Sequence, residues 1–245
     1  MLFVKTEDLK AGMRLAKPIY NKNGVMLYDR NSKITSQGII SVNNFGLIGI
    51  YILEPAEPVP PMSEDDIEFE RFQAMSVFTI REILDAYSKN QKEKDMYQFI
   101  NQLLKKYGSL HHKINFIQNL RSNEDYIYKH SLNTAILCAL ISSRLGLEFK
   151  SQLDIVAAAL LHDVGGLMIP GNIRRKRKSD ITEDDEKKIS QCYQNSYMAF
   201  KDNTDLSPDI KRILSASIAV LHPDIPAASA KMPTVIGAEI LKVAY

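Results

Sequence analysis

Residues 151–166 read SQLDIVAAALLHDVGG. Seven apolar residues follow Asp154 without a break, and the run closes on His162-Asp163 before Val164-Gly165-Gly166. An apolar run of this length, flanked by polar residues, is too short for a membrane and suits a helix buried on all sides. The spacing predicts a helix over 151–162, with the chain turning at the glycine pair. An imidazole and a carboxylate on adjacent residues at a helix end can reach one point. A histidine from a neighbouring helix would complete a mixed nitrogen and oxygen site. Such a donor set suits Mn, Fe, Ni, Zn or Mg better than a structural zinc. His130 is the candidate, at the head of a helix expected over 131–145. Taken alone, the His-Asp pair is also compatible with a hydrogen-bonded core histidine.

Outward from this centre the remaining chain is helical. Helices are expected from Ser63 to about Leu84, over 96–107, 114–120, 182–200, 207–221 and 235–245. Ser63 caps the first, with Glu64, Asp65 and Asp66 in its opening turn, and Gly108 stops the second. Before Ser63 the pattern differs. Short apolar runs at 3–5, 15–20, 25–28 and 47–53 alternate with turn residues, and Asn23-Gly24 between two of them is a hairpin signal. A short helix over 35–45 is expected among them, with Ile39, Ile40 and Val42 facing inward. Residues 54–62 read EPAEPVPPM, a stiff extended segment. The expected fold is therefore α+β: a small β-rich N-terminal domain (1–54), a proline-rich linker (55–62) and an all-α helical domain (63–245).

The chain has 245 residues, 45% of them hydrophobic, enough for a sizeable core. Lys and Arg number 31 against 29 Asp and Glu, so the charge balance does not indicate a nucleic-acid binder. Two cysteines, Cys138 and Cys192, give neither a disulfide framework nor a metal knuckle. With no apolar run of spanning length and no leader pattern, a cytoplasmic protein without a membrane span is expected. The basic run Arg174-Arg175-Lys176-Arg177-Lys178 reads as a solvated loop balanced by Asp184, Asp185 and Glu186. His111, His112 and His222 read as surface or packing residues.

Three segments together carry a resemblance. They are DYIYKHS (125–131), AALLHDVG (158–165) with Met168-Ile169-Pro170, and ITEDDE (181–186) with GAEILKVA (237–244). They resemble the HD superfamily of metal-dependent phosphohydrolases, and more narrowly its HD-GYP branch, whose members hydrolyse cyclic di-GMP. The opening LKAGMRL (9–15) is similar to small β domains that precede HD-GYP domains. The resemblance implies an HD-type helical domain, a divalent metal held by His130, His162 and Asp163, and a cyclic dinucleotide or other phosphate ester as substrate. Asp163 would be the bridging, catalytic ligand, next to a metal-bound water of lowered pKa.

The same resemblance marks departures. Gly166 stands where the family has a lysine, and Tyr193 where it has a histidine. Ser215-Ala216-Ser217 falls where a His-His pair is usual, and the Gly-Tyr-Pro signature is replaced around His222-Pro223. Tyr245 stands where the superfamily has an aspartate ligand. The expectation is a phosphodiesterase-type homologue with a depleted metal site. The alternative is an inactive signalling or scaffold domain, binding a nucleotide or a protein partner and holding no metal.

Overall fold

The computed structural model describes residues 1–45, 47, 49–59, 61–89, 91, 96–109, 111, 126–221 and 235–245, without the side chains of 219 and 220. Its described residues form two compact units. One holds Met1–Phe78 and Tyr126, and the other holds Thr79–His111 and Ile127–Tyr245.

The first unit is a small sheet with one short helix. Strand β5 (Gly49–Leu53) lies between β1 (Leu2–Lys5) and β2 (Arg14–Leu15), antiparallel to both, with Leu2 opposite Ile52 and Leu15 opposite Ile52 on the other side. Strands β3 (Ile19–Tyr20) and β4 (Met26–Tyr28) form the hairpin that Asn23-Gly24 announces. Gly24 has φ +71°, the left-handed conformation that glycine adopts without strain. Helix α1 (Ser36–Asn44) starts at Thr35, whose hydroxyl accepts from the Gly38 N–H at 3.0 Å. Leu9, Leu15, Ile19, Ile34, Val42, Ile50 and Ile52 form the core. Ile40 does not join them. It is exposed, because Gly38 and Val42, one turn apart, take the inward face. Helix α2 (Glu64–Ser88) begins at Ser63, which exchanges hydrogen bonds with Asp66 in a capping box. Its early turns carry Glu70, which forms a buried ion pair with Lys17.

The second unit is helical. After the last turns of α2 come α3 (Met96–Tyr107), α4 (Tyr126–Arg144), α5 (Phe149–Leu161), α6 (Val164–Met168), α7 (Gly171–Arg174), α8 (Glu183–Asp202), α9 (Pro208–Leu221) and α10 (Ile236–Ala244). Helix α5 is central, packed by α3, α9 and α10, and every side chain from Ile155 to Leu161 is buried. Helix α6 packs on α8. Tyr87 of α2 meets Phe200 of α8 edge to face, with centroids 6.1 Å apart. Helix α8 opens on a capping box in which Thr182 and Asp185 each bond the other's backbone N–H.

Two expectations about element ends are corrected. Helix α4 begins at Tyr126, not Ser131, so His130 lies inside the helix. Ile127, Tyr128 and Lys129 have no good capping chemistry, but their burial draws them into regular structure. The chain also does not simply turn at Gly165-Gly166. It continues as α6, in which both glycines are buried. The expected helix over 114–120 lies outside the described residues. Among the described residues no helix is long and apolar enough to cross a membrane.

Candidate functional site

His162 caps the C-terminus of α5, and Asp163 stands between α5 and α6. Both are buried, at 5% and 6% exposure. His130 projects from the second turn of α4. It brings its Nε2 to 3.3 Å from Nε2 of His162. The three candidate residues thus come from the ends of two neighbouring helices and the link after α5.

One ring proton follows from its partner. His162 Nδ1 lies 2.7 Å from the Ala159 carbonyl oxygen, which can only accept, so Nδ1 carries the hydrogen. Nε2 of His162 faces Nε2 of His130. Burial holds His130 in its neutral form, pushing its pKa down to about 4. The neighbouring His162 adds to that shift, and Asp163 opposes it.

Two tyrosines complete the cluster. The Tyr193 hydroxyl, from α8, donates to Asp163 Oδ1 in a short hydrogen bond. Tyr193 is buried, at 7% exposure. Its seat is cut by the glycine pair. A Cβ on Gly165 would fall 2.6 Å from Tyr193 Cδ1, and one on Gly166 would fall 3.3 Å from both the Tyr193 hydroxyl and Asp163 Oδ1. Tyr245, at the end of α10, presents its ring to both imidazoles. Its centroid is 4.8 Å from that of His130 and 5.5 Å from that of His162, at interplanar angles of 82° and 86°.

Two imidazoles sharing one divalent ion at about 2.1 Å would hold their nitrogens roughly 3.0–3.5 Å apart. The 3.3 Å spacing of His130 and His162 matches that. The rest of a ligand set does not assemble. Among the described residues no three His, Cys, Asp or Glu side chains gather into a group able to hold a metal. Asp163 is engaged by Tyr193, and an aromatic ring stands against the histidine pair. Ser217 turns its hydroxyl back to the Ile213 carbonyl at 2.7 Å and offers no ligand. As arranged, these residues fit a self-satisfied polar cluster and not a three-ligand ion.

The other candidates lie elsewhere. In the basic run, Lys176 reaches Asp185 at 2.6 Å, and Arg175, Arg177 and Lys178 are exposed. His111 contacts Arg144 at 3.2 Å on the surface. Cys138 is buried and Cys192 lies 3.4 Å from the Met168 carbonyl. His112, His222 and the stretch replacing the Gly-Tyr-Pro signature lie outside the described residues. The roles of Tyr193, Tyr245 and Gly165 were not assigned from sequence. The signal for the two tyrosines was their register, since both stand where the resemblance expects ligands.

The chain is similar to the cyclic di-GMP phosphodiesterase PdeB of Borreliella burgdorferi, with 28% identity over 133 residues. That match covers 48% of this chain and 35% of the relative, so the chain spans about a third of that protein's length. No solved structure matches. The model of the HD domain family matches residues 127–244, which run from the second residue of α4 to the end of α10.

Proposed function

We propose that this chain is an HD-GYP-like homologue of metal-dependent phosphohydrolases, of the cyclic di-GMP phosphodiesterase type, with a depleted metal site. The observation that carries this reading is the approach of His130 to His162, the residue before Asp163, with tyrosines at the two places where further ligands are expected. The HD match over 127–244 and the similarity to a cyclic di-GMP phosphodiesterase support the class. In this reading His130, His162 and Asp163 are what is left of a larger ligand set. Three protein ligands are the ordinary minimum for a hydrolytic ion, which also needs an open position for water. Asp163 would be the catalytic carboxylate only when freed from Tyr193. A cytoplasmic setting and a cyclic dinucleotide or related phosphate ester as ligand go with this reading.

The tyrosine contacts favour a second reading: an inactive signalling or scaffold domain that binds a nucleotide or protein partner without turnover. One experiment separates the two. Untagged protein and its His162→Ala variant are assayed for bound metal by elemental analysis and for cyclic di-GMP hydrolysis with added Mn, Fe, Ni, Zn or Mg. Weak hydrolysis that His162→Ala abolishes supports the enzyme. Cyclic di-GMP binding without product, by calorimetry, supports the signalling domain. Near-stoichiometric tightly bound metal in the wild type would refute the depleted site.

A further inference from the structure

We infer that Tyr193 and Gly166 act as one device that keeps a divalent cation off Asp163, with the tyrosine hydroxyl in the cation's place. This rests on the reading above, that His130, His162 and Asp163 are the remainder of a metal set.

The argument starts at the carboxylate. Asp163 is buried, and a buried carboxylate needs a cation or strong donors. Tyr193 supplies a donor from a buried ring to Oδ1, one of the two oxygens the carboxylate could offer a metal. A metal at Oδ1 must displace that hydrogen, and the hydroxyl has little water to turn to at 7% exposure. The ring cannot swing aside cheaply, because it lies against the surface left by two glycines. A Cβ at Gly165 would meet Tyr193 Cδ1 at 2.6 Å and Cα at 2.8 Å, so there is no slack on that side. At Gly166 a Cβ would lie 2.9 Å from Ile127 Cδ1 and 3.3 Å from both members of the hydroxyl–carboxylate pair. A side chain at 166 would therefore start in the space beside the hydroxyl–carboxylate pair, and glycine leaves that space to the tyrosine.

The test is calorimetric titration of Mn2+ and Zn2+ into the full chain, checked by circular dichroism and by the shift of the thermal midpoint. The proteins are wild type, Tyr193→Phe, Tyr193→His, and each variant combined with Asp163→Asn. The wild type is expected to show no saturable binding in the millimolar range. Tyr193→Phe keeps the ring in its seat and removes only the hydroxyl, and it is expected to gain saturable binding. Tyr193→His adds a nitrogen donor and should bind about tenfold more tightly again. Asp163→Asn should abolish the gain in both. If Tyr193→His fails to fold, Tyr193→Phe carries the test. Wild type that binds as tightly as the variants would overturn both the inference and the depleted-site reading. Folded variants that bind no better than a non-binding wild type would overturn the inference alone, leaving the site depleted for another reason.

Discussion

Gly165→Ala tests the closest approach in the helical unit. The new Cβ would sit 2.8 Å from Tyr193 Cα and 2.6 Å from Cδ1. Comfortable carbon contacts begin near 3.5 Å, so α6 and α8 must separate by about 0.7 Å at this point. The Cα is backbone, and no rotamer change relieves it. Overpacking of this kind costs about 1–3 kcal/mol, and alanine returns up to about 1 kcal/mol through helix propensity in α6. The net expectation is about 1–2 kcal/mol of destabilisation. For a unit of roughly 150 residues that is about 2–8 °C in thermal midpoint. Guanidinium melts followed by circular dichroism measure it, with an unchanged m-value showing that stability and not compactness has moved. A second variant separates the two contacts. Tyr193→Ala removes Cδ1 but leaves Cα, so part of the Gly165→Ala cost should persist in the double variant. A neutral or stabilising Gly165→Ala would refute the proposed closeness of α6 and α8.

Tyr193→Phe should cost about 1.5–3 kcal/mol in the absence of metal, the usual value of a hydrogen bond to a charged partner, and an unchanged denaturation midpoint would count against that bond. Asp185 gives a pH signature. Hydrogen bonding from Lys176, then from the Thr182 backbone and hydroxyl, holds its carboxyl at about 2. A folded pKa below the unfolded value near 4 stabilises above that value and loses the effect as pH falls from about 4 towards 2. Asp185→Asn should flatten this part of the stability–pH curve, and an unaltered acid limb would refute the assignment. Thr182→Ala, which removes the other half of the cap, should cost about 1 kcal/mol by urea denaturation, and a change near zero would refute the cap. In the N-terminal unit, Lys17→Met leaves Glu70 buried without its partner and should cost about 3–5 kcal/mol. Lys17→Met with Glu70→Leu should recover most of that, and a double variant no better than the single would refute the pairing.

What the sequence disclosed followed local chemistry. Met96 to Tyr107 was legible because an amphipathic repeat runs into Gly108. The start of α8 was legible because Thr182 precedes four acids, and the β3–β4 turn because Asn-Gly needs little else. The apolar run through Ala157–Leu161 marked the buried centre. The failures were tertiary. Nothing local places Tyr126–Lys129 in a helix, because burial of Ile127 and Tyr128 drives it. Ile40 looks like a core residue by type, yet a nine-residue helix has room for one inward stripe, and Gly38 and Val42 take it. In the site, His130 and the His162-Asp163 pair could be named from the resemblance, but the hydroxyl contact on Asp163 could not. That contact needs α6 against α8 at a distance only two glycines permit, and the sequence shows glycines without showing what they face.

The site poses a problem of electrostatics that the tyrosines resolve. An imidazole and a carboxylate at 5% and 6% exposure, left without partners, would carry an uncompensated desolvation cost. Here the polar groups meet protein partners: the Ala159 carbonyl accepts from His162 Nδ1, His162 Nε2 lies against His130 Nε2, and the Tyr193 hydroxyl donates to the carboxylate. Tyr245 adds a ring against both imidazoles. The His162-Asp163 pair thus has a structural role in this arrangement, and its presence alone is no sign of turnover. The decisive contact is the one on Asp163, since a carboxylate oxygen that accepts from Tyr193 has one lone pair fewer to offer any other partner.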